Sequence, residues 1–241
     1  MQTVLDFLDD PYRVETDAFV LHRQGNRIVL DRTVFYPGIG ISPADTGKII
    51  LDDGRVLTVN RGAWHDTMPG VLEHFCDTVP DDLLPGAKVV ARIDWSSRFS
   101  AMRVHTALHL VSVGFPYPMI DGELLAGWGS ATFEADKTGI DARDLENLVE
   151  TLVRRRLAIE AIWTAQSLRD PRTRVRSFIW PKSQGCIRAI RIADVDLQPC
   201  DGLHLRNTEE VGLIKVVDFL RLSAGLYRCD IRVVEDHPAQ G

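Results

Sequence analysis

The chain has 241 residues, 45% apolar and 26% charged, with a formal charge of −6, the balance of a globular protein able to bury one large core or two modest ones. No apolar run reaches the roughly eighteen residues of a membrane span, and residues 1–12 lack the basic start and apolar stretch of a secretory leader, so the expectation is a cytoplasmic protein. The negative total excludes a global attraction to nucleic acid but leaves room for a local basic patch.

The first ninety residues read as strands and turns. Phe19–His22 and Arg27–Leu30 flank Gln24-Gly25-Asn26, and Lys48–Leu51 and Arg55–Val59 flank Asp52-Asp53-Gly54. Both have the pattern of hairpins with short Gly-containing loops. Between them, Phe35 to Pro43 is too rich in Gly and Pro for regular structure. Short strands at this spacing predict a small β-barrel.

The composition changes at Pro85-Gly86. One more strand, Lys88–Ile93, precedes a helix predicted to start at Ser96 or Ser97 as N-cap. That helix carries Phe99, Met102, His105, Thr106 and His109 and is predicted to end before Gly114 and Pro116. A strand over Gly129–Glu134 follows, then a helix over Asp141–Arg156 with an apolar stripe of Leu145, Leu148, Val149 and Leu152. Strands are predicted near Ala158–Thr164, Cys186–Ile192, Leu213–Leu220 and Leu226–Val234. Helices are too few for a parallel α/β alternation, so the fold class is α+β with a largely antiparallel sheet. The expected division is a small barrel over residues 1–90 and an α+β domain over 91–241.

Two pieces carry the chemistry. His105-Thr106-Ala107-Leu108-His109 places two imidazoles four apart on one helical face. Cys200-Asp201-Gly202-Leu203-His204 offers a thiolate and a third imidazole, nitrogen and sulfur donors suited to zinc. Each pair alone is a weak signal, since histidines can decorate a helix and a lone Cys is often a buried small apolar group. The helical pair is not that of a zincin, which needs Glu where Thr106 stands. The other cysteines, Cys76, Cys186 and Cys229, show no framework spacing and read as thiols.

Taken together, the segments resemble the editing domain of alanyl-tRNA synthetase and its free-standing AlaX-type relatives. The residues that carry the likeness are the histidine pair, the block Ile192 to Gly212 around Cys200 and His204, the segment Ile93 to Arg98, and Leu30 to Pro37 with Pro43 to Gly47. The resemblance spans residues 12–234. It implies a hydrolase that removes serine or glycine from the tRNA for alanine, one Zn2+ held by His105, His109, Cys200 and His204, and an aminoacyl-tRNA partner rather than a membrane or DNA.

Hydrolysis of an activated ester needs a positioned water and support for the developing oxyanion. Asp201 is the carboxylate available beside the Cys–His block. Sparing alanine while removing serine needs a site that hydrogen-bonds the extra hydroxyl. The candidates are Trp128, Ser130 and Thr132 on the strand after the helix, with Ser42 in the N-terminal loop; Ser130 and Thr132 also fit plain strand alternation. The chain departs from the family pattern where Gly38-Ile39-Gly40-Ile41-Ser42-Pro43 replaces a glycine run followed by Gln, and where Asp201 and Leu203 replace Gly and Thr. Those departures leave open a non-catalytic structural-zinc protein that binds tRNA or a protein partner, or a hydrolase of another aminoacyl ester. Arg154, Arg155 and Arg156, and the stretch of Arg169, Arg172, Arg174, Arg176 and Lys182 with Trp180, are candidate tRNA contacts. For the arginine triplet, ion pairing to Glu146, Glu150 and Glu160 is the competing explanation.

Overall fold

The computed structural model describes residues 2–115, 117–135, 139–165, 186–223 and 225–234. These fall into two compact units, Met1–Ile39 with Pro43–Phe99, and Gly40–Ser42 with Ser100–Gly241. The fold is α+β with mostly antiparallel sheets. Among the described residues no helix is long and apolar enough to cross a membrane.

In chain order the first unit holds β1 (Val4–Leu5), a one-turn α1 (Asp6–Asp9), β2 (Glu15–Gln24), β3 (Arg27–Leu30), β4 (Arg32–Thr33), β5 (Gly47–Leu51), β6 (Val56–Trp64), β7 (Leu72–Cys76) and β8 (Lys88–Ile93). Six of them close a barrel in the order β2-β3-β7-β6-β5-β8, every pairing antiparallel. Both expected hairpins form, with Gly25 and Gly54 in the left-handed region at φ 57° and 86°, which costs glycine little. Alternate residues fill the interior, among them Ile28, Leu30, Ile49, Val59, Val89 and Ala91, the period-two pattern of a closed sheet.

Several buried polar side chains sit inside this unit, among them the Arg98–Asp45 pair and His74. Arg98 is 2% exposed and Asp45 5%. The guanidinium bonds both Asp45 oxygens through Nε (2.9 and 3.1 Å) and also donates to the carbonyls of Pro11 and Val34. His74 is fully buried, its Nδ1 3.1 Å from the Ile28 carbonyl and its Nε2 2.7 Å from Thr33 Oγ1. A ring nitrogen facing a carbonyl must donate, so Nδ1 carries the proton and Nε2 accepts the Thr33 hydroxyl.

Burial lowers the His74 pKa to about 4. In the unfolded chain the ring titrates near 6.5, at about the model-peptide value. Between those values the unfolded state binds a proton that the folded state refuses, so stability is complete above pH 6.5 and falls as pH drops toward 4. The limit is about 3 kcal/mol. Denaturant unfolding of wild type and His74→Gln should show a shallower pH slope in the variant across this window. Parallel slopes would remove His74 from the acid response.

α2 (Trp95–Gly114) begins in the first unit and continues in the second. Its cap is not Ser96 or Ser97. Asp94 accepts the Ser96 and Ser97 amides at 3.0 and 3.4 Å and both hydroxyls, so the helix starts earlier because a carboxylate outcompetes the hydroxyls as acceptor. The helix also runs through Gly114 instead of stopping before it. A Cβ there would lie 2.7 Å from Leu148 Cδ2 and 2.8 Å from Leu145 Cδ1; the missing side chain is what lets the next helix approach.

The second unit continues with β9 (Met119–Leu125), β10 (Trp128–Glu134), α3 (Ala142–Arg154), β11 (Ile159–Ala165), β12 (Cys186–Ile192), β13 (Asp196–Pro199), a 3-10 turn (Thr208–Val211), β14 (Ile214–Ser223) and β15 (Leu226–Val233). One antiparallel sheet has the order β14-β15-β10-β9 and another β11-β12-β13. α3 opens on an Asp141–Asp144 capping box and stops at Arg154, two residues short of expectation, with Arg156 at φ 53°. Leu145, Val149 and Leu152 are buried, while Leu148 is 39% exposed at the edge of the stripe. Phe115 packs edge-on against Phe133 and Phe219, tying the end of α2 to the four-stranded sheet.

Candidate metal centre

α2 presents its residues to two surroundings. Val104 and Leu108 meet β10 at Gly129, where a Cβ would lie 2.6 Å from Val104 Cγ1. His105 and His109, one position further round the helix, are each 7% exposed and face each other at 5.2 Å between ring centroids. The second ligand segment is delivered by β13, which pairs with β12 from Ala189↔Pro199 to Ile192↔Asp196. The Cys200 amide donates to the Arg188 carbonyl at 3.1 Å.

There the chain turns back on itself. Buried Arg188 donates from Nη1 to the carbonyls of Cys200 (2.8 Å) and Gly202 (2.7 Å), bracing the turn from inside. Gly202 admits no side chain, since a Cβ would lie 2.1 Å from His105 Cε1. Leu203 and Leu205 are buried on either side of His204. Thr208, fully buried, accepts the Leu157 amide and donates to the Leu152 carbonyl, anchoring the far end of the loop on the C-terminus of α3.

The result brings His105, His109, Cys200 and His204 together with one donor atom from each within 4.8 Å of the others. Cys200 Sγ lies 3.5 Å from His105 Nε2 and 3.4 Å from His204 Nε2. Tetrahedral zinc, with Zn–N about 2.0–2.1 Å and Zn–S about 2.3 Å, separates its ligands by about 3.6 Å. The cluster can hold one metal ion. Hydroxyls face the nitrogens turned away from the sulfur: Ser42 Oγ is 3.1 Å from His105 Nδ1, and Thr106 Oγ1 is 3.3 Å from His204 Nδ1. Thr106 also accepts the Leu205 amide. Such outer contacts fix ring orientation and leave Nε2 as the ligating atom. Among the described residues His109 Nδ1 is buried without a hydrogen-bond partner.

Electrostatics favour the same occupant. Burial holds the His109 pKa at about 4 and those of His105 and His204 well below the usual imidazole range, so all three are neutral, the form that ligates. Burial likewise pushes the Cys200 thiol up to about 11; a bound cation supplies the positive charge that lets it ionise. Asp201 is raised above the usual carboxylate range, again by burial.

The expected pocket residues separate. Ser42 is against His105. Trp128, Ser130 and Thr132 alternate with Gly129, whose Cα faces α2, and so stand on the opposite face of the sheet. There Thr132 pairs with Arg228 and Ser130 with Asp230. The arginine triplet is ion-paired: Arg154 with Glu150, Arg155 with Asp194 and Arg156 with Glu209. Arg169, Arg172, Arg174, Arg176, Trp180 and Lys182 lie outside the described residues. Sequence reasoning passed over Arg188, although a lone cation inside Cys186-Ile187-Arg188-Ala189-Ile190 was a visible signal. It placed Thr106 on the helix but gave it no role beyond the absence of a zincin glutamate.

Residues 187–229, which include Cys200 and His204, match the family described as the second additional domain of threonyl and alanyl tRNA synthetases. Over 93% of its length the chain is 30% identical to the alanyl-tRNA editing protein AlaX-L of Pyrococcus horikoshii. The chain is homologous to alanyl-tRNA synthetases and AlaX-type editing proteins. It is also 31% identical to the alanine–tRNA ligase of Ignicoccus hospitalis over 95% of its length, and 29% to that of Pyrococcus abyssi over 92%. The chain spans about a quarter of those ligases and 56% of AlaX-L.

Proposed function

We propose that the chain is a zinc-dependent hydrolase that clears mischarged aminoacyl-tRNA in trans, removing serine or glycine from the tRNA for alanine in the cytoplasm. The observation that carries this is the buried three-imidazole, one-thiol cluster in a chain homologous almost throughout to a protein named for alanyl-tRNA editing. His105, His109, Cys200 and His204 would hold the zinc, which when bound supplies Lewis-acid character and a lowered pKa for nearby water.

The chain's own groups set the rest. Among the pocket candidates Ser42 carries the proposal, because its hydroxyl is the one against a cluster histidine and can meet the hydroxyl of a seryl ester. Asp201, adjacent to Cys200 and raised by burial, is the group suited to moving a proton between water and the leaving ribose oxygen. A second reading has a specific support: four protein donors close a tetrahedron, as structural sites do. In it the metal stabilises a protein that binds tRNA or a partner without turnover. Deacylation of another aminoacyl ester is the third.

The deciding experiment charges the tRNA for alanine with serine, glycine or alanine and follows hydrolysis by wild type and Asp201→Asn, with bound metal quantified. Loss of the serine or glycine ester alone is expected, slowed about 10²-fold or more in the variant if Asp201 moves the proton. Full metal occupancy with every ester intact would overturn the hydrolase reading and leave the structural one.

A further inference from the structure

A different part of the molecule carries the polar features of a nucleotide site. On the outside of the barrel, β5, β6, β8 and the first turn of α2 enclose a groove of 570 Å³ whose walls include Lys48, Thr58, Asn60, Arg92, Trp95 and Ser96. Lys48 stands directly opposite Arg92 across the β5–β8 ladder and opposite Thr58 across β5–β6. Two cations facing each other on neighbouring strands repel unless an anion lies between them. Glu15, on the far side of Arg92, takes its Nε at 2.7 Å. Lys48 makes no ion pair among the described residues. Among the described lining residues the one carboxylate, Asp94, is spent on the amides and hydroxyls of Ser96 and Ser97.

Trp95 gives the wall an aromatic plate. Its ring is half-buried and packed against Tyr12 and Phe99, each at 5.3 Å between ring centroids, which limits the side-chain freedom left to lose on binding. Cation, hydroxyl, amide and rigid aromatic in one concave site is the set that recognises a ribonucleotide: phosphate on the cations, sugar on the hydroxyls, base on the ring. The volume falls within the range of about 300–1,000 Å³ usual for small-molecule sites.

We propose that this groove binds a ribonucleotide phosphate, with Lys48 as its principal phosphate contact and Trp95 beside its base. The proposal rests on the tRNA reading above only for the source of that ribonucleotide, a strand of the tRNA; a free mononucleotide presents the same chemistry.

The test measures binding of a short single-stranded oligoribonucleotide and of AMP to the full chain, for wild type, Lys48→Glu, Lys48→Arg and Lys88→Glu. Lys88 lies on β8 outside the groove. Lys48→Glu should weaken binding about tenfold and reduce the slope of log affinity against log salt by about 0.7, the single-strand value for one lost phosphate contact. Lys48→Arg should keep affinity, and Lys88→Glu should behave as wild type. Dependence on Lys48 for AMP marks a mononucleotide site; for the oligonucleotide alone, a strand site. Wild-type affinity in Lys48→Glu, or an equal loss in Lys88→Glu, overturns the groove. Deacylation assayed in parallel separates the two ideas: an active enzyme with Lys48-independent RNA binding rejects the groove alone, and an inactive chain with Lys48-dependent binding rejects the hydrolase alone.

Discussion

Gly202→Ala and Cys200→Ala are expected to weaken metal binding about 10²-fold or more by different routes. Cys200→Ala removes a donor. A four-ligand site worth about 10–16 kcal/mol loses roughly a quarter of that with one ligand, or on the order of 10²–10³-fold in affinity. Gly202→Ala removes no donor, yet its methyl would sit 2.1 Å from His105 Cε1 and 3.1 Å from Ser42 Oγ. The backbone cannot retreat, because Arg188 holds the carbonyls on both sides of Asp201. His105 must therefore swing away, and a loss of about 10²-fold is expected, at the top of the 10–100-fold range of ordinary outer-contact changes. Competition titration with Co2+, whose visible bands report a tetrahedral sulfur-containing site, measures both. Gly202→Ala with wild-type affinity and bands would show that the turn is looser than the packing implies.

Arg98→Met should be the most damaging change in the barrel unit. It leaves the Asp45 carboxylate buried with the Tyr36 amide (2.6 Å) as partner, and it strips the donors from the carbonyls of Pro11 and Val34. Removing one partner of a buried ion pair costs about 3–5 kcal/mol. For a chain of this size that lowers Tm by roughly 10–15 °C. Because the penalty lies in the orphaned charge, Asp45→Leu placed on top of Arg98→Met should restore a good part of the loss. A double variant no better than the single would assign the cost to the two carbonyls instead.

The two residues differ in how visible they were. Arg98 belongs to Ile93-Asp94-Trp95-Ser96-Ser97-Arg98 and Asp45 to Pro43-Ala44-Asp45-Thr46-Gly47, both segments that carry the family resemblance, yet nothing local pairs residues 53 apart in the chain. Gly202 sits in plain view between Asp201 and Leu203, but that it must be glycine follows from where His105 stands. Strands whose signal was faint were passed over for a related reason. β9, Met-Ile-Asp-Gly-Glu-Leu-Leu, has no clean alternation and is a strand because β10 offers it a ladder. β13 ends in proline and survives on the sheet edge, where the missing amide costs nothing. The early start of α2 turned on Asp94, two residues before Ser96 and as good a cap as either serine.

What the sequence determined by itself is what short-range chemistry encodes. The two barrel hairpins follow from Gly25 and Gly54 in tight turns, and the shared face of His105 and His109 follows from a spacing of four on a helix. The capping box of α3 follows from Asp141 and Asp144. Tertiary structure alone decided which side of β10 carries Gly129 and which Ser130, and that Ser42 and Thr106 back the imidazoles. It also decided that Arg188 braces the turn at Cys200 and that Lys48 stands opposite Arg92 on neighbouring strands. Each of these depends on strand register and helix rotation, and those are fixed by packing over the whole unit, since a shift of one residue reverses every side chain on a strand.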